Sequence, residues 1–182
     1  MSAQIIDAQK VQALLDTLTD GLYQEFAGSG NLALVGIRRR GDVLAQRLQV
    51  RLAKKLGSDL PCGTLDITLY RDDFDSLAEQ PVVGQTRIPF AIDERTVILV
   101  DDVLFTGRTI RAALDELVDL GRPTRIVLAV LIDRGWRELP IAADFAGKTI
   151  ETAWEDDVQV RLQEVDGADE VLLIRDGAGD SA

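Results

Sequence analysis

The segment Val97-Ile-Leu-Val-Asp-Asp-Val-Leu-Phe-Thr-Gly-Arg-Thr109 combines residue types that chemistry can use. Four apolar residues run into two adjacent carboxylates, Asp101 and Asp102. A turn containing Thr106 and Gly107 follows and opens a helical pattern. In an open α/β sheet the carboxyl ends of the strands are where ligands sit. The first amides of a helix lack partners within it and carry the positive end of its dipole, which suits an anion. Thr106 and Thr109 add hydroxyls, and Gly107 allows a close backbone approach. The turn therefore suits a phosphate monoester, and the acid pair suits the vicinal hydroxyls of a sugar. A Walker-type loop is excluded, because the Gly-four-residues-Gly-Lys-Ser/Thr spacing is missing. Two charged carboxylates directly after an apolar strand need compensation, which argues against surface decoration.

A second polar segment, Arg38-Arg39-Arg40-Gly41, lies between the apolar run Leu32–Ile37 and a helical pattern. Its place between a buried strand and a helix marks it as an anion site rather than a solvated basic turn. Residues 38–55 hold seven basic residues against Asp42 alone, although the whole chain has 20 basic and 31 acidic residues, a net charge of −11. Residues 151–182 carry ten acids against Arg161 and Arg175, a balance of −8 that reads as a solubilising surface. One local segment is thus fitted to phosphate in a chain otherwise unsuited to polyanions.

Other chemistries are excluded by composition. The chain has no histidine and one cysteine, Cys62, which removes Ser-His and Cys-His nucleophile pairs, internal disulfides and Cys/His zinc sites. Apolar runs are too short to span a bilayer, and the first ten residues do not read as a signal peptide, so a cytoplasmic location is expected.

The elements that must position these residues follow from periodicity. Val11, Leu14, Leu15, Leu18 and Leu22 predict a helix over 7–26. Leu32–Ile37, Thr96–Val100 and Arg125–Ile132 read as buried strands. Val43 to Leu56 predicts a helix closed by Gly57, and Ile110 to Leu117 one ending at Gly121. Leu65, Ile67 and Leu69 alternate with polar residues as in a strand, and 82–88 reads as a strand returning from a polar loop over 72–80. After Asp133 only short strands are expected, around Val158–Leu162 and Val171–Ile174. The fold class is α/β, an open, mainly parallel sheet flanked by helices. We expect a single domain over 1–182: a core over about 5–135, a small C-terminal hood over about 136–175 and a frayed tail over 176–182.

The Val97–Thr109 segment resembles the phosphoribosyl pyrophosphate (PRPP) motif of type I phosphoribosyltransferases. Leu34-Val-Gly-Ile-Arg-Arg-Arg-Gly41, Leu65-Asp-Ile-Thr-Leu-Tyr-Arg-Asp-Asp73, Gly121-Arg-Pro123 and Ala129-Val-Leu-Ile-Asp-Arg-Gly-Trp-Arg-Glu-Leu-Pro140 are similar to one branch, the pyrimidine operon regulators with uracil phosphoribosyltransferase activity. The likeness spans about residues 5–175. It implies a pentosyltransferase converting uracil and PRPP to UMP and pyrophosphate. Asp101 and Asp102 would bind the ribose hydroxyls and act in catalysis. The run through Val103, Leu104 and Phe105 would lead to Thr106, Gly107, Arg108 and Thr109 around the 5′-phosphate. Arg38, Arg39, Arg40 and Gly41 would hold the pyrophosphate with Mg²⁺, the metal being bound mainly by PRPP oxygens. Arg71 would belong to a lid that excludes water. Phe105 stands where purine-using relatives often carry an acid, which points to uracil as acceptor.

The resemblance also implies a homodimer or higher oligomer and transcriptional attenuation by binding pyr mRNA. The chain departs from the regulators' pattern there. Trp136 replaces a His, Ala142 an Arg, and Trp154 a basic residue, while Arg137, Lys148 and Thr152 remain. Removal of basic groups weakens RNA affinity. Trp136 and Trp154 are expected in the core or at a subunit interface. The alternatives to a uracil transferase are an RNA-binding attenuator with minor catalysis and a phosphoribosyltransferase for another base.

Overall fold

Nine residues of β4, Thr96–Leu104, run through the middle of a five-stranded parallel sheet ordered β3-β2-β4-β5-β6. Its neighbours are β2 (Leu32–Ile37), β3 (Cys62–Leu65), β5 (Arg125–Asp133) and β6 (Phe145–Thr149). The computed structural model describes residues 2–68 and 85–175. Both faces of this sheet are covered, which explains the unbroken apolar runs. Leu34, Ile98, Val100, Val127, Ala129 and Leu131 face α1 (Ala8–Phe26) and α2 (Gly41–Leu56). Val35, Ile37, Val97, Leu99, Leu128 and Val130 face α3 (Arg108–Leu120). Alternate residues along each strand thus serve opposite cores. Among the described residues no helix is long and apolar enough to cross a membrane.

The helices end where their residue types dictate. Asp7 accepts a hydrogen bond from the Lys10 amide at 2.9 Å and caps α1. Gly57, at φ +68°, closes α2 in the left-handed conformation. A second, antiparallel sheet, ordered β1-β8-β7, joins both ends of the described chain. It comprises β1 (Ser2–Ile6), β7 (Asp157–Arg161) and β8 (Glu170–Ile174), with the short helix α4 (Gln163–Asp166) between the last two. Ile6, Val158, Val160, Val171 and Leu173 bury its inner face in the α1–α2 core.

Four expectations are corrected. The strand expected through Leu65, Ile67 and Leu69 is β3, which starts at Cys62 and stops at Leu65. Asp66 ends it, because its carboxylate accepts from both the amide (2.9 Å) and the hydroxyl of Thr68 and folds the backbone out of the ladder. In the expected strand 82–88, the described residues from 85 on contribute a single antiparallel bridge, Arg87 to Thr64. Two strands, β1 and β6, were not expected; β6 pairs parallel to β5 across a helix-free connection over 134–144. The acidic C-terminal segment is also more than a solubilising surface. Glu164 and Asp169 grip Arg47, and Asp166 grips Arg40, at 2.5–2.9 Å. Asp166 is held down at about 2 by its bonds to Arg40. Arg51 and Lys55 pair with Asp16 and Asp20. Most of the basic segment 38–55 is therefore neutralised within the fold.

Candidate active site

The site lies at the carboxyl ends of β2 and β4. Helix α2 leaves β2 on one face of the sheet and α3 leaves β4 on the other, so a crevice opens between these two strands. Pairing of β2 with β4 ends at Gly36–Val100, whereas pairing of β4 with β5 continues to Leu104–Asp133. The acids thus sit inside β4, not beyond its end as the sequence suggested, on an edge that β2 has vacated.

Two glycines bring the basic loop against that edge. A Cβ on Gly36 would lie 2.3 Å from the Gly41 carbonyl oxygen, and one on Gly41 would lie 2.6 Å from the Val100 carbonyl oxygen and 3.3 Å from Asp101 Oδ1. Any side chain at either position would push the loop away from the acids. The Arg38–Arg39 peptide is cis, and Arg40 caps α2 at φ +69°.

Asp101 is 4% exposed and Asp102 is half-buried. Each accepts a backbone amide bond, Asp101 from Asp102 N (2.9 Å) and Asp102 from Val103 N (2.8 Å). Burial, then the neighbouring Asp102 carboxylate, pushes the Asp101 carboxyl well above the ordinary range. Burial raises Asp102 as well, against the pull of the Val103 amide and the Arg40 guanidinium. A buried acid pair of this kind favours a ligand that brings hydroxyl donors or positive charge.

The three arginines of the loop divide. Arg40 is tied to Asp166 and lends its charge to Asp102. Arg38 and Arg39 are exposed, and among the described residues neither makes an ion pair. They are the loop's available anion ligands, beside Gly41. Arg71, expected in a lid, lies outside the described residues.

Beyond the acids, Phe105 and Thr106 turn the chain into α3, whose first internal bond runs from Arg111 N to the Gly107 carbonyl. Gly107 takes φ +93° as its cap. The amides of Arg108, Thr109 and Ile110 therefore stand outside the helix ladder, with the hydroxyls of Thr106 and Thr109 nearby. The Arg108 side chain pairs with Glu138 at 2.5 Å, so it is the backbone of this turn that suits a phosphate.

The connection after β5 straps this turn in place. Amides of Glu138 and Leu139 donate to the Thr106 carbonyl at 3.0 and 3.1 Å. Arg137, expected as an RNA contact, faces inward. Its guanidinium donates to the carbonyls of Phe105 (2.7 Å), Gly135 (2.9 Å) and Ile141 (2.9 Å), more weakly to that of Leu104, and to the Asp133 carboxylate (2.6 Å). With these donors engaged, Arg137 is a clamp on the phosphate turn and is not available to a polyanion. Lys148 is exposed and has no ion pair among the described residues. Sequence reasoning also missed Arg134. It is 4% exposed, lies over the Phe105 ring at 3.9 Å, and is held by Thr152 and the carbonyls of Ala153 and Trp154. Its signal was its place at the end of β5, on the same sheet edge as the acids. Trp136 and Trp154, expected in the core or at a subunit interface, are 47% and 43% exposed in the single chain and so lie outside its core.

The phosphoribosyl transferase domain model matches residues 1–165. The chain belongs to the phosphoribosyltransferase family. Within it, the chain is 53% identical over 172 residues to the bifunctional protein PyrR of Pelotomaculum thermopropionicum, covering 94% of this chain and 95% of that one. It is 51% identical over 177 residues to that of Chloroflexus aurantiacus, covering 97% of each. The PyrR branch is therefore its branch. Among solved structures, the hypoxanthine phosphoribosyltransferase of Trypanosoma cruzi superposes with a TM-score of 0.71 at 15% identity, over 95% of this chain and 91% of that one, which shows the shared fold. The family's transferase chemistry, displacement at a phosphoribosyl carbon, is the activity of this chain.

Proposed function

We propose that this chain is a uracil phosphoribosyltransferase and pyrimidine regulator of the PyrR branch, converting uracil and PRPP to UMP and pyrophosphate. The observation that carries this is the Asp101–Asp102 pair, one buried and one half-buried, on the same sheet edge as the exposed Arg38 and Arg39 and an amide-lined turn. Ribose hydroxyls donate to the acids, the 5′-phosphate accepts from the amides of Arg108, Thr109 and Ile110 and the hydroxyls of Thr106 and Thr109, and Arg38 and Arg39 neutralise the pyrophosphate. The C1–oxygen bond breaks as the uracil N1–C1 bond forms. The electron pair leaves with pyrophosphate, and the N1 proton passes to solvent. Carboxylates beneath the ribose stabilise positive charge developing at C1. Mg²⁺ fits this site: two adjacent carboxyls raised by burial, Asp101 further by the Asp102 charge, welcome a cation carried in by phosphate oxygens. Asp101 and Asp102 would hold its inner side, and the ion would neutralise charge on the leaving group.

Phe105 supports uracil as the acceptor, since it offers no proton acceptor where a purine site would use one, and the N–H of uracil is comparatively acidic. Pyrophosphate release, measured with PRPP and each of uracil, orotate, hypoxanthine, guanine and adenine, is expected to be fastest with uracil. Faster turnover of any purine would overturn the acceptor assignment.

The regulatory half of the reading, binding to pyr mRNA, has little positive surface behind it. Arg137 is committed internally, and Lys148 stands beside acidic neighbours in sequence such as Glu151. A pyr-leader stem-loop is expected to bind near the non-specific range of about 10⁻⁴–10⁻⁶ M at physiological salt. Filter binding at two salt concentrations measures this, and nanomolar sequence-selective binding would restore attenuation as the principal role. We read the protein as a homo-oligomer, as the family resemblance implies; sedimentation checks it.

A further inference from the structure

The basic loop makes its sharpest bend at Arg40. The Gly41 amide donates to the Arg39 carbonyl at 2.9 Å, two residues back, and Arg40 between them takes φ +69° and ψ −42°. That is the rarer, strained form of γ-turn, which a residue with a Cβ seldom adopts. Glycine would take it readily, yet the glycine of this loop stands one position later, where the approach to Val100 requires it. A strained backbone conformation persists only where its surroundings hold it.

The backbone is tied on both sides of the bend. The Arg38 amide donates to the Leu65 carbonyl at 2.8 Å, and the Arg40 carbonyl accepts from the Leu44 amide at 2.9 Å. The Arg40 side chain is held from another part of the chain. Its Nε and Nη2 form a fork with both carboxylate oxygens of Asp166, at 2.9 and 2.8 Å. Asp166 is fixed in turn, since its Oδ2 also accepts from the Leu162 amide at 3.0 Å and its own amide donates to the Leu162 carbonyl at 2.7 Å. On either side of it in sequence, Glu164 and Asp169 close on Arg47, about two helical turns beyond Arg40. The connection from β7 to β8 is thus fastened to α2 at two points, and one of them is the strained residue. The bend leaves the amides of Arg39 and Arg40 with no acceptor among the described residues, and it leaves Arg38 and Arg39 exposed while Arg40 is drawn towards α4.

We propose that Asp166 is a positioning residue for pyrophosphate: by holding Arg40 in this turn, it keeps the loop in the conformation that receives the leaving group, without touching that group. The inference rests on the transferase reading above and adds a residue from the far end of the chain to it. Without the fork, the loop relaxes to commoner backbone conformations, and each binding event must restore the turn.

Asp166→Asn removes the charge and one acceptor but keeps an oxygen for the Leu162 amide, so the α4 turn is retained. Calorimetric titration with pyrophosphate and Mg²⁺ is expected to show about tenfold weaker binding, the loss when the loop holds the turn about a tenth of the time. UMP, which carries no pyrophosphate, should bind within about threefold of wild type, and in turnover KM for PRPP should rise with kcat within about twofold. Arg40→Gly accepts positive φ without the fork. In that background, adding Asp166→Asn should weaken pyrophosphate binding by less than about twofold. Equal losses for UMP and pyrophosphate would show a merely structural role, and a further loss of about tenfold on the Arg40→Gly background would place the effect elsewhere. Either result overturns the proposal, as does unchanged pyrophosphate binding in Asp166→Asn or a wild-type protein that binds none. Because binding is read without turnover, the transferase reading fails separately. A protein that binds pyrophosphate through Asp166 but releases none from PRPP with any base would sink that reading and leave the positioning role standing.

Discussion

Asp102→Asn is expected to lose tenfold or more in kcat/KM for PRPP, and Asp101→Asn a similar amount, while both make the free protein more heat-stable at pH 8. The activity loss follows from replacing charge-assisted bonds to ribose hydroxyls with neutral ones, a difference of about 1.5–3 kcal/mol. The stability gain follows from linkage. A carboxyl whose folded pKa is raised binds more protons folded than unfolded between the two pKa values. Its contribution to stability is fully present below the unfolded pKa, near 4, and is lost as pH rises towards the folded value. Burial raises both acids, and the Asp102 carboxylate raises Asp101 further, so the wild-type protein carries this loss at pH 8. An amide does not titrate, and its oxygen can keep accepting the Asp102 or Val103 amide. Melting curves at pH 4 and pH 8 read the effect: the advantage of each variant should grow with pH. A variant less stable than wild type at pH 8 would show that the charged acids do not destabilise the free protein, and a fully active one would remove them from the ribose site.

Arg137→Ala should destabilise the fold by about 2–4 kcal/mol, below the full cost of breaking a wholly buried pair because the guanidinium retains some solvent contact. For a chain of this size that corresponds to a fall of roughly 4–16 °C in Tm. The substitution strands the Asp133 carboxylate and frees the carbonyls of Phe105 and Gly135. The phosphate turn then loses its strap, and KM for PRPP should rise as well. Arg137→Lys should not rescue either effect, since an ammonium cannot match a planar fork. A variant melting within 1–2 °C of wild type, with its RNA affinity reduced instead, would return Arg137 to the surface role the sequence suggested.

The two predictions differ in how visible their residues were beforehand. Asp101 and Asp102 were legible because one local run, strand to acids to turn to helix, carries both the element and the chemistry. The buried strands were legible for the same reason: their apolar runs record two covered faces. Arg137 was misread because its partners, the carbonyls of 104, 105, 135 and 141, are backbone groups that any sequence would offer. The division of labour in the basic loop was hidden too. Nothing near Arg40 in sequence reveals Asp166, which reaches it only once α4 folds onto α2. Asp66 shows the converse case, in which one side chain's bond to its second neighbour overrides an alternating pattern. Strands β1 and β6 lack a strong period of their own and exist because a neighbour supplies their pairing.

The pairing of β1 with β8 joins Ser2 to Ile174. Closing so long a loop costs entropy that grows with the logarithm of its length, and contacts of this separation slow folding. The central sheet closes shorter loops, β2 to β4 and β4 to β5, and can assemble before the chain's ends meet. The small sheet is thus the natural last step of folding and the first to come apart. Because α4 beside it holds Arg40, its fraying would release the guanidinium that steadies Asp102, so the readiness of the ribose site is coupled to whether the two ends of the chain are zipped together.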